Sequence, residues 1–332
     1  MKKVLSLAIA AALVAPAAVM ADATLFGKAH FIIENVDDGD SDVWGVDSIH
    51  SRVGVKGSED LGGGLKAVYH FEFKVNQDSG SGLGDRNQFI GLAGGFGTAL
   101  LGRHDTPLKM AQGKFDEFGD LPNGDMASVI PGEDRVDNVI AYVSPAMGGL
   151  TFVGALVSGE LGDGAGGELD GPADHISIAG LYSNGPIFAS LAYNSYDLGI
   201  VADADPSLLR GTLIWNGGMW QAGVMYAAMD TDDLLSLDDS DAVGVSGHVK
   251  VGAGKIKGQY LVGDSPTLSA GALGFSPGVK ISGGDNEVTQ FSVGYEHGLS
   301  KRTKAHVGFT SYEEDETDVE EDAFFAGLIH SF

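Results

Sequence analysis

The chain has 332 residues, of which 51 are glycine and none is cysteine, and its 46 acidic residues outnumber 20 basic ones to give a formal net charge of −26. This excess of negative charge argues against nucleic-acid binding, because phosphate backbones are recognised by clusters of Lys and Arg. Without cysteine no disulfide can form, so hydrogen bonding and packing must hold the fold together.

The first 21 residues are predicted to be a secretory signal peptide. Lys2 and Lys3 form a charged start, an apolar run covers residues 4–14, and small residues lead up to Ala21. Cleavage there would leave residues 22–332, which we predict to be one domain with a net charge of 18 − 46 = −28. No later stretch has the roughly 20 apolar residues of a transmembrane helix.

Beyond the signal peptide, apolar and polar residues repeatedly alternate with a period of two, which is typical of β-strands. The pattern covers residues 25–34, 49–56, 65–75 and 324–332. In residues 65–75 the odd-numbered positions are apolar, and the polar even-numbered positions are Lys66, His70, Glu72 and Lys74. If the apolar face contacts lipid, these four side chains lie in a water-filled lumen, where we expect Lys66, His70 and Lys74 to be solvated.

Short glycine-containing turns separate the strands. They lie at residues 58–64, 94–97, 144–149, 183–186, 216–218, 252–254 and 298–300. Together with eight long polar segments, these seven turns give sixteen strands, with both chain ends on the short-turn side. An even strand number with short turns at one end and long loops at the other is typical of bacterial outer-membrane barrels. We therefore predict an all-β, 16-stranded antiparallel transmembrane β-barrel, with a soluble β-sandwich as the alternative.

Several segments resemble the general porins of Gram-negative bacteria. The longest is SRVGVKGSEDLGGGLKA at residues 51–67, and shorter ones occur in the same order at residues 24–28, 86–92, 95–103, 135–145 and the terminal Phe332. The resemblance implies a sixteen-stranded barrel in the outer membrane, usually a homotrimer, with short periplasmic turns and long extracellular loops. It also implies that the third of these loops folds into the channel and narrows it.

Residues 104–134 are the candidate for this constriction loop, because they form the longest segment between predicted strands in the first half of the chain. Its acidic residues Asp116, Glu117 and Asp120 are similar to the acidic tip that the family presents to the pore. On the opposite side, the period of two places Lys28, Arg52 and Arg86 on the lumen face, where they match basic wall positions of the family. Arg135 is a plausible fourth member of this basic wall. The alternative is that the arginines only hold the loop in place through ion pairs.

The predicted function is passive diffusion of ions and small hydrophilic solutes. We expect a weak preference for cations, because acidic residues dominate the predicted loops at residues 37–42 and 313–322. The alternative is a porin that prefers small anionic solutes, such as carboxylates or phosphate, and captures them with the wall arginines. The acidic loops are expected to be solvated surface, to bridge divalent cations to outer-membrane lipid and lipopolysaccharide, or to reflect adaptation to high salt.

No motif for catalysis, a cofactor or a metal site stands out. The sequence has no H-E-x-x-H pattern, and without cysteine it has no thiolate zinc site. We therefore expect no enzymatic activity, no cofactor and no metal, and the excess of negative charge gives no reason to expect nucleic acid as a partner. A barrel enzyme and a receptor or adhesin acting through its loops are the competing classes.

Overall fold

The structure is a computed structural model that describes residues 23–76, 82–159, 171–197, 205–232, 238–264, 268–269, 280–281, 286–315 and 319–332. The predicted signal peptide lies outside the described residues. The strands are β1 (Thr24–Asp37), β2 (Asp42–Ser48), β3 (Arg52–Gly62), β4 (Leu65–Asn76), β5 (Gly82–Gly94), β6 (Gly97–Asp105), β7 (Arg135–Val143), β8 (Leu150–Val157), β9 (His175–Asn184), β10 (Ile187–Tyr196), β11 (Ser207–Asn216), β12 (Trp220–Asp230), β13 (Ser240–Val251), β14 (Gly254–Asp264), β15 (Leu268–Ser269), β16 (Lys280–Ile281), β17 (Glu287–Gly298), β18 (Thr303–Glu314) and β19 (Val319–Ser331). Between β6 and β7 lie a short helix, α1 (Pro107–Met110), and a 3-10 turn (Met126–Ser128). Within the described residues, no helix is long and apolar enough to cross a membrane.

The strands form a closed antiparallel barrel in which β1 also pairs with β19. β2 and β3 together act as one barrel strand, because β1 pairs with β3 through its first half and with β2 through its second half. The break falls at residues 49–51, where His50 has a left-handed backbone with φ +46°. β15 and β16 pair only with each other, so the barrel has sixteen strands and the predicted fold is confirmed.

Alternation along the strands separates an apolar outer face from a polar inner face. On three strands, neighbouring outward and inward residues are Ile178 and Ser177, Leu213 and Thr212, and Val245 and Ser246. The outward residue of each pair is more than half exposed, whereas its inward neighbour is buried. Within the described ranges no second sheet covers the apolar face, so the sandwich alternative does not hold.

The seven predicted short turns all connect consecutive strands at one end of the barrel. The first is shorter than predicted, because Glu59 and Asp60 still pair with Ala67 and Lys66 and only residues 63–64 remain outside the strands. At the other end, the first and last connections are also shorter than predicted, since the strands around them continue through much of the acidic sequence. The first connection is reduced to residues 38–41, and on either side of the last one the strands extend to Glu314 and from Val319.

The long connection between β6 and β7, residues 106–134, lies inside the barrel and is called the inner loop here. Its first turn is favoured locally, because the Thr106 side chain accepts a hydrogen bond from the Lys109 amide and proline starts the helix. Phe115 and Phe118 are fully buried against the wall, where Gly244 and Gly294 leave room for their rings. The largest buried apolar cluster therefore lies between the inner loop and the inner face of the barrel.

Candidate pore constriction

The inner loop leaves a cavity of about 560 Å³ beside it in the lumen. Its acidic lining residues are Asp105, Asp116, Glu117, Asp120, Asp125, Glu133 and Glu296, and its basic ones are Lys28, Lys109, Lys257, Arg86 and Arg135. Three histidines, His30, His50 and His306, complete the ionisable groups. Charges of both signs thus line the narrow part of the lumen in nearly equal numbers.

The four predicted basic residues lie on the inner face of one side of the wall, with Lys28 on β1, Arg52 on β3, Arg86 on β5 and Arg135 on β7. They are not bare cations. Glu72 of β4 is buried between two of them, because its carboxylate accepts a hydrogen bond from Arg86 and lies 3.9 Å from the Arg52 Nε. The basic wall therefore contains its own counter-charge.

Arg135 is neutralised in the same way by Asp105, the last residue of β6. The Arg135 guanidinium lies 2.8 Å from the Asp105 carboxylate and donates from Nε to the Asn87 side-chain oxygen at 2.9 Å. Lys109 of α1 approaches the same carboxylate at 3.6 Å. Sequence reasoning did not single out Asp105, because only the strand register shows that it lies beside Arg135.

Asp120 is the loop acid that meets the basic wall. Its carboxylate lies 3.3 Å from the Lys28 ammonium and pairs with the His50 ring. Burial alone would raise the pKa of Asp120, but the hydrogen bond from His50 and the charges of His50 and Lys28 outweigh it and hold the pKa well below its usual value. The left-handed backbone of His50 at the break between β2 and β3 brings this ring to the loop.

Glu117 differs from its predicted position, because it faces the far wall and not the basic wall. Its carboxylate lies 2.9 Å from the Lys255 ammonium, pairs with His248 and accepts a hydrogen bond from Gln221 at 3.2 Å. Burial favours a raised pKa for Glu117, but the hydrogen bonds from Lys255 and His248 prevail and lower it. Glu117 therefore ties the inner loop to β12, β13 and β14.

Asp116 is turned into the loop itself. Its carboxylate accepts hydrogen bonds from the amides of Phe118 at 2.9 Å and Met126 at 3.4 Å. Burial raises the pKa of Asp116 well above its usual value, and the nearby charge of Asp125 adds to this effect. Of the three predicted loop acids, Asp120 alone contacts the basic wall, because the other two are used to shape and anchor the loop.

The remaining predicted lumen residues occupy different levels of β4. Lys66 is exposed near the turn, whereas Lys74 is half-buried beside Arg52 in the strand register. His70 lies between these levels, with its Nε2 at 3.8 Å from the Glu72 carboxylate. These three side chains share the inner face with Glu72. Of the four residues, Glu72 is the one that pairs with the arginines of the basic wall.

Arg210 of β11 is a site residue that sequence reasoning missed. It is completely buried, and its guanidinium donates to the Glu133 carboxylate at 2.6 Å, to the Leu108 carbonyl at 3.3 Å and to the Pro131 carbonyl. It thereby holds the beginning and the end of the inner loop together. The available signal was an arginine at an inward position of a predicted strand, but such a position alone does not reveal a partner 77 residues away.

A closed barrel with an apolar outer face, a polar inner face and a charged constriction beside an inward-folded loop has the architecture of a β-barrel membrane channel. The comparisons with known proteins agree. A family model described as Gram-negative porin matches residues 6–317. The chain belongs to the Gram-negative porin family.

Relatives and solved structures extend this result. The chain is 29% identical to the major outer membrane protein P.IB of Neisseria meningitidis over 96% of each chain, and 29% identical to outer membrane porin protein 32 of Delftia acidovorans over 76% of this chain and 71% of that protein. The anion-selective porin from Comamonas acidovorans has a TM-score of 0.73 at 22% identity, covering 93% of this chain and 99% of that one. The trimer form of Vibrio cholerae OmpT has a TM-score of 0.64 at 17% identity over 93% and 99%. The protein is thus an outer-membrane channel and not an enzyme.

Proposed function

We propose that the protein is a general diffusion porin for ions and small hydrophilic solutes with a weak preference for cations. The observation that carries this proposal is the nearly balanced lining of the constriction, where seven acidic residues stand beside five lysines and arginines. Asp116 is turned into the inner loop, where its carboxylate accepts hydrogen bonds from the amides of Phe118 and Met126. The remaining excess of negative charge is small, so the field inside the pore attracts cations only slightly.

The ion pairs within the basic wall argue against a channel that captures phosphate or carboxylate with bare arginines. An incoming anion would have to compete with Glu72 for Arg52 and Arg86, and with Asp105 for Arg135. These internal carboxylates are held by the barrel and lie within ion-pair distance already. We therefore favour the general channel over the anion-preferring alternative.

The family also supports a membrane orientation and an assembly. In this proposal the short-turn end faces the periplasm, the inner loop is the third extracellular loop, and residues 1–21 direct export. The protein assembles as a homotrimer, as the trimer form of Vibrio cholerae OmpT does, within outer-membrane lipid and lipopolysaccharide.

The proposal is tested by the reversal potential of the channel in a planar bilayer across a KCl gradient. We expect a small potential of the sign that indicates cation preference. Replacing both Arg52 and Arg86 by Gln should strengthen this preference, because Glu72 then keeps its negative charge without its two arginine partners. Replacing Glu72 by Gln should shift the preference toward anions.

The matched control is Glu59→Gln, which removes one carboxylate from the exposed end of β3 beside the short turn. We expect this control to shift the reversal potential much less than Glu72→Gln does. Clear anion preference of the unmodified channel would contradict the proposed selectivity. A folded protein that passes no current would contradict the channel function itself.

A further inference from the structure

A row of rings lines the lumen beside the basic wall. His70 of β4 and Phe89 of β5 have nearly parallel planes, 3° apart, with centroids separated by 5.4 Å. Phe26 of β1 lies 5.1 Å from His70, and His104 of β6 lies 5.1 Å from Phe89. These four side chains, which we call the ring row, form a continuous track across the inner face.

The strand register shows how this track is built. Lys56 of β3 pairs with His70, and His70 pairs with Phe89, so these three side chains lie side by side at one level of the barrel. The half-buried rings of Phe26 and Phe89 are apolar surface in a lumen that is otherwise polar. An aromatic ring that enters the lumen can pack against these rings.

Two glycines keep this part of the wall free of side chains. A Cβ at Gly54 would come within 2.5 Å of the Phe26 ring, so the glycine allows this ring to lie against β3. Gly102 pairs with Phe89 and has φ +137°, a backbone conformation that favours glycine. A Cβ at Gly102 would collide with the Gln88 carbonyl oxygen, so the glycine allows β5 and β6 to approach closely beside Phe89.

Lys56 supplies a positive charge at one end of the ring row. Its ammonium lies 5.0 Å from the centre of the Phe26 ring, and the side chain is exposed. In the part of the chain that the structure describes, Lys56 forms no ion pair, whereas Arg52 and Arg86 share Glu72. Lys56 can therefore accept a carboxylate from solution without displacing an internal partner.

We propose that the ring row and Lys56 form a subsite for aromatic carboxylates that pass through the pore. The aromatic ring of the solute stacks against Phe89 and His70, and its carboxylate pairs with the Lys56 ammonium. An aliphatic carboxylate lacks the stacking contact, and a neutral aromatic solute lacks the ion pair. The subsite rests on the proposed channel function, and its one unpaired lysine is compatible with a weak preference for cations across the whole constriction.

The test compares three solutes of similar size in single-channel recordings in KCl: benzoate, cyclohexanecarboxylate and benzamide. We expect benzoate to interrupt the current at a concentration about fivefold lower than cyclohexanecarboxylate, since an aromatic contact contributes about 1 kcal/mol. Benzamide should also require a higher concentration than benzoate, because it lacks the ion pair with Lys56. Phe89→Leu should abolish the advantage of benzoate over cyclohexanecarboxylate. Lys56→Gln should abolish its advantage over benzamide.

Matched controls are Phe71→Leu on the outer face of β4 and Lys250→Gln near the short-turn end of β13, both of which should keep the discrimination of the unmodified channel. If Phe89→Leu fails to fold, Lys56→Gln decides the question, because this exposed side chain fills no packed space. A channel that conducts but treats the three solutes alike overturns the subsite and leaves the porin function intact. A folded protein that passes no current contradicts the porin function, on which the subsite rests.

Discussion

At the scale of single residues, the buried Asp134 at the base of the inner loop has a shifted pKa that makes the attachment of this loop depend on pH. It is buried, and it accepts a hydrogen bond from the Tyr196 hydroxyl at 3.2 Å, which in turn accepts one from the Asn194 amide at 2.8 Å. Burial raises the pKa of Asp134 from its usual 3.8 to about 7, although the hydrogen bond from Tyr196 opposes this. The folded loop therefore keeps a proton that a detached loop would lose at lower pH.

This shift predicts how the attachment of the inner loop depends on pH. A carboxyl group with a raised pKa stabilises the folded state fully below the unfolded pKa, and this contribution is lost as the pH rises through the folded pKa of about 7. Amide hydrogen exchange at residues 126–134 should therefore speed up between about pH 4 and 7 beyond the intrinsic chemical effect. Asp134→Asn should weaken this dependence, and the neighbouring Glu133, whose pKa is also raised by burial, should account for the part that remains.

The control for this experiment is Asp137→Asn, because Asp137 is more exposed and pairs with Arg103 near the same end of β7. This variant should retain the pH dependence of the unmodified protein. An Asp134→Asn protein whose loop exchange still responds to pH in the same way would refute the assignment to Asp134.

The sequence predicted on which face of the barrel a side chain lies, but it did not predict which residues that side chain contacts. The period of two predicted that Lys28, Arg52 and Arg86 share the inner face, and the structure has them there. It did not indicate that Glu72 lies between the two arginines, because that contact depends on the register between β3, β4 and β5 and on an irregularity near Phe71. The position of His50 likewise follows from a strand break that no hydrophobic pattern marks.

At the scale of elements, the inner loop is held by polar contacts at its base and by aromatic side chains along its length. Arg210 joins both limbs at the base, and Phe115 and Phe118 fill spaces beside glycines of the wall. The Lys255 ammonium and the His248 ring fix Glu117, which lies between these two phenylalanines in the loop. The position of this loop, and with it the width of the pore, depends on a few identifiable contacts.

Arg210→Met is predicted to loosen the inner loop without opening the barrel. The change leaves the Glu133 carboxylate without its main counter-charge, and removal of one partner from a buried pair costs about 3–5 kcal/mol. Since strand pairing does not involve this side chain, the loss of stability is confined to the inner loop. Single-channel recordings should show a larger and noisier open conductance.

The matched control is Arg302→Met, which changes an exposed arginine in the turn between β17 and β18. Its conductance should equal that of the unmodified channel. Heat-dependent migration in detergent gels checks that both variants retain the closed barrel. A quiet Arg210→Met channel of normal conductance would show that the other contacts suffice to hold the loop.

The number of strands was predicted better than the residues at which the strands begin and end. Alternating residues and glycine-rich turns predicted sixteen strands, because both signals are local. The acidic sequences at residues 37–42 and 313–322 were expected to be loops, yet Asp37 pairs with Asp42 and Glu313 with Glu320 in the strand ladder. Backbone pairing with neighbours continues there despite like charges facing each other, which are unfavourable in a sheet.

At the scale of the whole molecule, the apolar outer face predicts that the cost of a charged substitution depends on its depth in the bilayer. Val245 and Val251 both face outward on β13, Val245 near the middle of the strand and Val251 at its short-turn end. Lysine at a mid-membrane position of an outer-membrane barrel costs about 2–4 kcal/mol, against about 0–1 kcal/mol near the interface. We therefore expect Val245→Lys to lower the unfolding free energy far more than Val251→Lys.

Reversible unfolding in urea from lipid vesicles measures this difference, and each variant serves as the control for the other. Both introduce the same charge on the same strand and face, so only the depth differs. Equal losses of stability would mean that the outer face is not surrounded by lipid in the proposed way.

The pairing of β1 with β19 has a consequence for the order of the chain. Gly27 and Phe332 exchange backbone hydrogen bonds of 3.0 and 3.1 Å, so the two ends of the described barrel are already neighbours. A short linker could join them, and new termini cut into a tight turn such as residues 185–186 would leave every ladder intact. Circular permutation should therefore preserve the closed barrel. The position of the chain ends determines which pair of strands closes the barrel, but the pairing between neighbouring strands does not depend on it.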